Sequence, residues 1–155
     1  MSAEDRLREL GLELPPPFEP AGSYVATRVS RGMLYVSGQG PAGPDGLVTG
    51  QVGGALTLSQ GVDAARLVGL NLLAVMRAEL GSLDRVTAIV KLLGMVNCHA
   101  GFNDTPTVIN GCSDLLVEVF GEAGRHARSA VGMAELPFDI AVEIELIAEV
   151  VRSDP

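Results

Sequence analysis

The chain is short of the residues from which several kinds of binding site are built. Its 155 residues include no tryptophan, 4% aromatic residues, two histidines and a single lysine, Lys91. Acidic residues outnumber basic ones by 19 to 11, for a formal net charge of −8. Stacking platforms for single-stranded nucleic acid need aromatic rings, and a polyanion needs basic side chains. The composition therefore predicts a protein that does not bind nucleic acid.

Long hydrophobic runs are also missing. A membrane span needs roughly 18 or more consecutive apolar residues, and no stretch of this sequence reaches that length without a charge. The N-terminus, residues 1–5, is acidic where a signal peptide carries positive charge. The only two cysteines, Cys98 and Cys112, have no redox spacing, which is typical of a reducing compartment. We therefore expect a soluble, cytoplasmic protein without a membrane partner.

What the chain does contain is enough apolar sequence, 47% of residues, for one core that needs no disulfide or structural metal. Three helices are predicted from capping residues and from apolar positions at helical spacing. A short helix lies within residues 2–10, and a capping box at residues 57–60 begins a helix that runs to about Leu80. Thr105 is the predicted N-cap of the third helix, which ends before Gly121.

Extended segments complete the pattern. They are residues 23–30, 33–39, 85–98, 129–135 and 141–151, with a shorter piece near 47–51. Arg31-Gly32 is the predicted turn of a hairpin. After the first helix the order is β-β-(β)-α-β-α-β-β, which indicates a single α+β domain whose two long helices cover one face of a sheet. The other face needs cover, and a homo-oligomer is the economical source of it.

Two motifs are better explained by structure than by a cofactor. The stretch Gly38–Gly43 matches G-x-G-x-x-G, but turn residues follow it where a dinucleotide site needs a helix. Residues that could bind zinc are Cys98, His99, Cys112 and His126. Cys98 and His99 are adjacent, and Cys112 lies on the apolar face of its helix, so the spacing does not favour a metal site. We therefore expect neither a metal nor a cofactor.

Arg128 stands out because it joins the third helix to a predicted strand, at the mouth of a loop on rigid structure. Its planar guanidinium suits bidentate binding of a carboxylate, although an arginine at such a position can equally form a surface or intersubunit salt bridge. Glu143 and Glu145 point to one face of the last strand. Such a pair, in a strand that is otherwise apolar, indicates a polar cavity or the cations of a partner.

Several stretches of the sequence resemble the Rid family, also called the YjgF or reactive intermediate deaminase family. They are Arg128-Ser129-Ala130-Val131, Leu136-Pro137 and Val142–Ala148, together with Tyr24-Val25 and Tyr35–Gln39, which are similar to that family's N-terminal hairpin. The resemblance covers about residues 20–150, so we divide the chain into an N-terminal extension, 1–17, and a Rid-like domain, 18–155. It implies a chorismate-mutase-like fold with a mixed sheet, packed as a homotrimer with ligand sites between subunits.

The resemblance also implies roles for residues. In the deaminating members, an arginine pairs with the carboxylate of a 2-imino or enamine acid, and a glutamate positions the water that releases a 2-keto acid and ammonia; by position these are Arg128 and Glu143. Other residues placed in the same cleft are Tyr24, Ser37, Gly38 and the backbone of Ala130, where the family often has cysteine. The family's helical asparagine has Asn110 as its nearest counterpart by type, whereas helical phase favours Ser113 or Ile109.

Three functions follow as hypotheses. The first is a deaminase of reactive 2-imino or enamine acids that uses Arg128 and Glu143. The second is a protein of the same fold that binds a small carboxylic acid through Arg128 without turning it over. The third is the endoribonuclease activity often attached to this family's name, which the acidic composition disfavours.

Overall fold

The computed structural model describes residues 1–151. Its helices are α1 (Ala3–Glu9), α2 (Leu58–Leu80) and α3 (Thr105–Phe120), and its strands are β1 (Thr27–Ser30), β2 (Met33–Gln39), β3 (Ala42–Gly43), β4 (Gly46–Leu47), β5 (Val86–Asn97), β6 (Ala127–Met133) and β7 (Val142–Val150). Five strands form a sheet of order β1-β2-β7-β5-β6, in which β6 runs parallel to β5 and the other pairs are antiparallel. The predicted α+β class is confirmed, with a mixed sheet.

The helices begin where their capping residues are. Ser2 and Thr57 each accept a hydrogen bond from the backbone three residues ahead and complete capping boxes, and Gly81 ends α2 in the left-handed conformation. One cap prediction was wrong: Asp104 is the N-cap residue of α3, and Thr105 is the first helical residue. The Thr105 hydroxyl instead donates to the Ala130 carbonyl on β6, 3.0 Å away. No helix within residues 1–151 is long and apolar enough to cross a membrane.

The strand predictions hold in the centre of the sheet and fail at its margins. β1 begins at Thr27 rather than at residue 23. The extended piece predicted near 47–51 is reduced to the two-residue β4 and single bridges at Thr49 and Val52. β6 begins at Ala127, so Arg128 lies inside this strand and not ahead of it.

The two long helices pack on one face of the sheet, where the core forms. Along β7, residues with even numbers from Val142 to Val150 are buried, whereas the odd-numbered residues between them are half-buried or exposed. On β5, a Cβ at Gly94 would lie 2.6 Å from the Ile109 side chain of α3, so Gly94 faces the helices. The opposite face, which we call the open face, carries exposed apolar residues such as Tyr35 and Val131.

The first helix also belongs to the packed structure. Leu7 of α1 is 1% exposed and lies in the same hydrophobic cluster as α2 and α3. Glu4 accepts hydrogen bonds from Arg77 of α2 and from the Leu83 amide. Burial tends to raise the pKa of Glu4, but these hydrogen bonds outweigh it and the pKa is lowered. Residues of the predicted extension thus fix the end of α2.

Candidate functional site

A small cavity opens where β2 and β7 meet the loop before β1. Three of the residues predicted for the site, Tyr24, Gly38 and Glu143, line it together. The remaining lining is mainly apolar and comes from Phe18, Pro20, Ala21, Ala26, Gln39, Gly40, Leu47, Pro137, Phe138 and Ile140. Its volume is about 110 Å³, several times the roughly 30 Å³ that a liquid water molecule occupies. The cavity therefore suits a small molecule of a few non-hydrogen atoms.

A bulge in β2 brings Gly38 against Glu143. The register with β7 shifts between Val36 and Gln39, so that extra residues of β2 face a shorter stretch of its partner. Bulges of this kind re-aim side chains beside binding sites. A Cβ built on Gly38 would lie 2.3 Å from Glu143 Oε1 and 3.0 Å from its carboxyl carbon. Only glycine at this position leaves the carboxylate in its place.

The Glu143 carboxylate does not take part in holding the described part of the fold together. No residue of the described part of the chain donates a hydrogen bond to it, and its side chain is half-buried. Burial raises the pKa of Glu143, and the negative charge of Glu145 on the same face raises it further. A raised pKa makes a carboxylate a stronger base, which is the usual condition of one that takes a proton from water.

Ser37 and Tyr24 lie close together, but only Tyr24 lines the cavity. The Ser37 hydroxyl donates to the Val25 carbonyl at 2.7 Å, and the Ser37 amide donates to the Ala26 carbonyl. Ser37 thereby fastens the loop that carries Tyr24, but it lines a neighbouring groove of the open face and not the cavity itself. The amide bond continues the β1–β2 register by one residue, whereas the hydroxyl bond to Val25 lies beyond the start of β1 at Thr27.

Arg128 is held on the opposite side of the sheet. Its Nη1 donates to Ser113 Oγ and its Nη2 donates to the Pro106 carbonyl, both at 3.0 Å, and both acceptors belong to α3. Asn110 lies on the same helical face, four residues after Pro106 and three before Ser113, and is exposed. Ile109, the other position considered for the family's asparagine, is fully buried in the core and is excluded from this face.

Within one chain, Arg128 and Glu143 do not share a site. Arg128 pairs in register with Leu92 of β5, which in turn pairs with Leu146 of β7, three residues beyond Glu143. Leu92 faces the helices, whereas Glu143 is in register with Met95 on the open face. Ala130 accompanies Arg128: it is in register with Gly94, and its carbonyl accepts from Thr105. The chain thus presents two separate groups of predicted site residues, which we call the Glu143 cavity and the Arg128 cluster (Arg128, Ser113, Asn110 and Ala130).

The structure also locates the residues first weighed as cofactor or metal ligands. After Gly38–Gly43 the chain turns into the short β3–β4 hairpin, and α2 begins only at Leu58. Among residues 1–151, no three His, Cys, Asp or Glu side chains cluster as metal ligands. Cys112 is fully buried, and burial raises its pKa to about 12, so its thiol is inert at neutral pH.

Two aromatic residues that line the cavity were not identified from the sequence. Phe18 follows the proline run, and Phe138 occupies the turn between β6 and β7 with 72% of its surface exposed. Phe138 and Asp139 both have positive φ, 58° and 57°. Asn97 holds this turn, because its side-chain amide donates to Asp139 Oδ1 and to the Ile140 carbonyl. An aromatic residue in the short connection between two predicted strands, 129–135 and 141–151, was the one available signal.

The sequence of this chain is similar to a known protein family and to a protein from another organism. Residues 4–150 match the protein family described as "YjgF/chorismate_mutase-like, putative endoribonuclease". Protein TCP17 of Trypanosoma cruzi is 47% identical over 145 residues, which cover 92% of this chain and 91% of that protein.

Solved structures of related proteins are similar in fold to this chain. The crystal structure of Atu1372 from Agrobacterium tumefaciens, a protein of unknown function, has a TM-score of 0.86 and 43% identity over 96% of this chain and 91% of its own. TdcF of E. coli, solved with bound serine, has a TM-score of 0.62 and 30% identity over 89% of this chain and 94% of its own.

Proposed function

Because the chain belongs to the YjgF/chorismate-mutase-like family, and because Glu143 presents an unpartnered carboxylate in a small cavity, we propose that the protein hydrolyses reactive 2-imino or enamine acids to 2-keto acids and ammonia. The observation that carries the proposal is the state of Glu143. Folding places its carboxylate against Gly38, keeps it free of hydrogen bonds from the described residues and raises its pKa.

The chemistry needs two operations. Water adds to the electrophilic carbon of the protonated imine, Glu143 takes one water proton as the C–O bond forms, and the C=N π electrons pass to nitrogen, which gives a neutral carbinolamine. Glu143 then returns that proton to the amine nitrogen, and the C–N bond breaks to release ammonia as the hydroxyl proton passes to Glu143 and the C=O bond forms. Because the imine carbon is already electrophilic, positioning of water and substrate supplies most of the required acceleration.

Arg128 is the proposed anchor for the substrate carboxylate. Its side chain already lies fixed on α3, and two of the five guanidinium N–H groups are used by Ser113 and Pro106. TdcF, a relative with 30% identity, was solved with bound serine, which is itself a small molecule with a carboxylate. A ligand of that class fits both the charge of Arg128 and the size of the Glu143 cavity.

We propose further that the functional unit is a homotrimer in which the Arg128 cluster of one copy meets the Glu143 cavity of the next. Two observations support it. Arg128 and Glu143 are on opposite faces of one sheet, so a second copy has to bring them together. The open face carries Tyr35, Val90 and Val131 at 40–46% exposure, and such apolar surface is typical of an interface between copies.

The direct test supplies freshly generated 2-iminopropanoate or 2-iminobutanoate and follows release of the keto acid. We expect acceleration by the wild-type protein, and loss of about 10²-fold or more in rate for Glu143→Gln and for Arg128→Ala. Glu149→Gln, on the same strand but exposed and hydrogen-bonded to Thr87, is the matched control and retains activity. Imine hydrolysis that is no faster with wild type than without protein contradicts the proposal.

The second candidate is binding without turnover. Its supporting observation is that TdcF was solved with bound serine. Tight binding of 2-ketobutyrate that Arg128→Ala abolishes, in a protein that does not accelerate imine hydrolysis, would favour this candidate. RNA cleavage that survives repurification and disappears in Glu143→Gln would favour the endoribonuclease named in the family's description, against which the net charge of −8 weighs.

A further inference from the structure

A chain of hydrogen bonds runs from Arg128 into the interior. Ser113 Oγ accepts from Arg128 Nη1 at 3.0 Å and lies 2.9 Å from His126 Nε2, and His126 Nδ1 lies 2.7 Å from the Gly124 carbonyl. A carbonyl oxygen only accepts, so Nδ1 carries the imidazole proton and Nε2 is the acceptor. The Ser113 hydroxyl therefore donates to Nε2 while it accepts from Arg128. Hydrogen-bond donation therefore runs in one direction, from Arg128 through Ser113 and His126 to the Gly124 carbonyl.

The neutral state of His126 is the one that maintains this direction. Burial lowers the pKa of His126 and the charge of Arg128 lowers it further, against an opposing effect of the Gly124 hydrogen bond. A protonated Nε2 would donate to Ser113 Oγ, which already accepts from Arg128, and would leave the hydroxyl proton without its acceptor. The neutral imidazole thus keeps the Ser113 hydroxyl proton directed at Nε2 and away from the Arg128 guanidinium.

Arg128 differs from two other half-buried arginines in the groups to which it donates hydrogen bonds. Arg66 and Arg77, of similar exposure, form ion pairs with Glu118 and Glu4. Arg128 contacts a hydroxyl and a carbonyl, and no carboxylate within residues 1–151 pairs with it. Neutral acceptors fix the direction of a guanidinium without neutralising its charge, which leaves that charge for an anionic ligand.

We propose that Ser113 and His126 are positioning residues that hold the Arg128 guanidinium in the orientation in which it receives the ligand carboxylate. This inference rests on the proposed role of Arg128 as carboxylate anchor. It goes beyond that role in assigning a task to Ser113 and His126, each of which acts on the ligand only through Arg128. The imidazole acts through the serine, and the serine acts through the arginine.

The experiment measures binding of a non-reacting ligand, 2-ketobutyrate, by calorimetry. Loss of a hydrogen bond to a charged group corresponds to about tenfold in affinity or more. We expect Ser113→Ala and His126→Phe each to weaken binding by about tenfold, and Ser113→Thr, which keeps the hydroxyl, to bind within about twofold of wild type. Ser59→Ala, an exposed serine of α2, is the control for the substitution itself.

A double variant separates positioning from a merely structural role. Because the two residues act in series, Ser113→Ala combined with His126→Phe is expected to weaken binding no more than either single change. Independent structural damage would instead multiply the two effects and would lower the affinity of Ser113→Thr as well. The melting temperature of each variant is recorded alongside, so that unfolding is distinguished from loss of affinity.

The outcomes distinguish this inference from the function on which it rests. If Arg128→Ala abolishes binding while Ser113→Ala and His126→Phe bind as wild type does, the positioning role is wrong and the carboxylate anchor stands. If the wild type does not bind 2-ketobutyrate, or Arg128→Ala binds it equally well, both the anchor and the positioning role are wrong. Weakening by Ser113→Ala with rescue by Ser113→Thr is the result that supports the inference.

Discussion

At the scale of single residues, the site is built at a cost to the fold. Glu143 has no stabilising partner among residues 1–151, and its pKa is raised by burial and by Glu145. The folded protein therefore binds the Glu143 proton more tightly than the unfolded chain, whose value is 4.5. The charge of Glu143 then destabilises the folded state once the pH rises through the folded pKa, and this destabilisation is absent below 4.5.

The first prediction follows from that sign. At pH 7, Glu143→Gln removes the charge and its repulsion from Glu145, so we expect a higher melting temperature, at about 2–4 °C for each kcal/mol gained. The gain should shrink as the pH falls toward 4, where wild-type Glu143 is protonated. Thermal melts of both proteins across pH 4–8 test this. A Glu143→Gln protein no more stable at pH 7 than Glu149→Gln contradicts it.

At the scale of elements, local signals were sufficient for helices and insufficient for strand ends. The capping box at residues 57–60 lies within four residues of sequence and was predicted correctly, whereas the N-cap of α3 was predicted one residue too late. The start of β6 depends on its parallel pairing with β5, a partner more than thirty residues away, and no local pattern encodes it. Residues 23–26 have strand propensity, yet β1 begins only at Thr27, and the Val25 carbonyl accepts from the Ser37 hydroxyl, another contact distant in sequence.

The contact between α2 and α3 gives a prediction at this scale. A Cβ at Gly111 would lie 2.2 Å from the Val62 carbonyl oxygen and 3.1 Å from the Arg66 nitrogen, both backbone atoms. Alanine in place of glycine ordinarily stabilises a helix by about 1 kcal/mol. Here we expect Gly111→Ala to lower the free energy of unfolding by about 1–3 kcal/mol or more, because the helices must separate.

Urea denaturation of Gly111→Ala measures the effect. Asp114→Ala, an exposed change on the same helix, is the control and should leave stability within about 0.5 kcal/mol of wild type. Since α3 carries Ser113, movement of the helix should also weaken 2-ketobutyrate binding. Unfolding of Gly111→Ala at the wild-type urea concentration would show that the helices do not pack as closely as described.

At the scale of the whole molecule, the sequence suggested residues for the candidate site but not where the fold places them. The resemblance named Tyr24, Gly38, Glu143 and Arg128, and the structure brings the first three into one cavity. It puts Arg128 across the sheet, because side chains three residues apart along strands point to opposite faces. Ser113 was considered only as a counterpart of the family's asparagine and His126 only as a metal ligand, since their pairing arises only where α3 ends beside β6.

The intersubunit arrangement predicts complementation. Arg128→Ala and Glu143→Gln proteins are each expected to be inactive alone. Trimers that contain both kinds of chain have one site in three with an intact Arg128 and an intact Glu143, so they should recover about a third of wild-type activity. Co-expression with two affinity tags isolates such hybrids for assay. Hybrids as inactive as their parents would contradict an intersubunit site.

The close approach of Gly38 to Glu143 has a consequence for how this site can change over time. Because a Cβ at position 38 would overlap the carboxylate, position 38 cannot gain a side chain without displacing Glu143. A shorter acid at 143 opens the space that a methyl group at 38 would fill, so the order of substitutions matters: aspartate first, alanine second. A search for new substrate preferences that adds a side chain at position 38 therefore has to change position 143 beforehand.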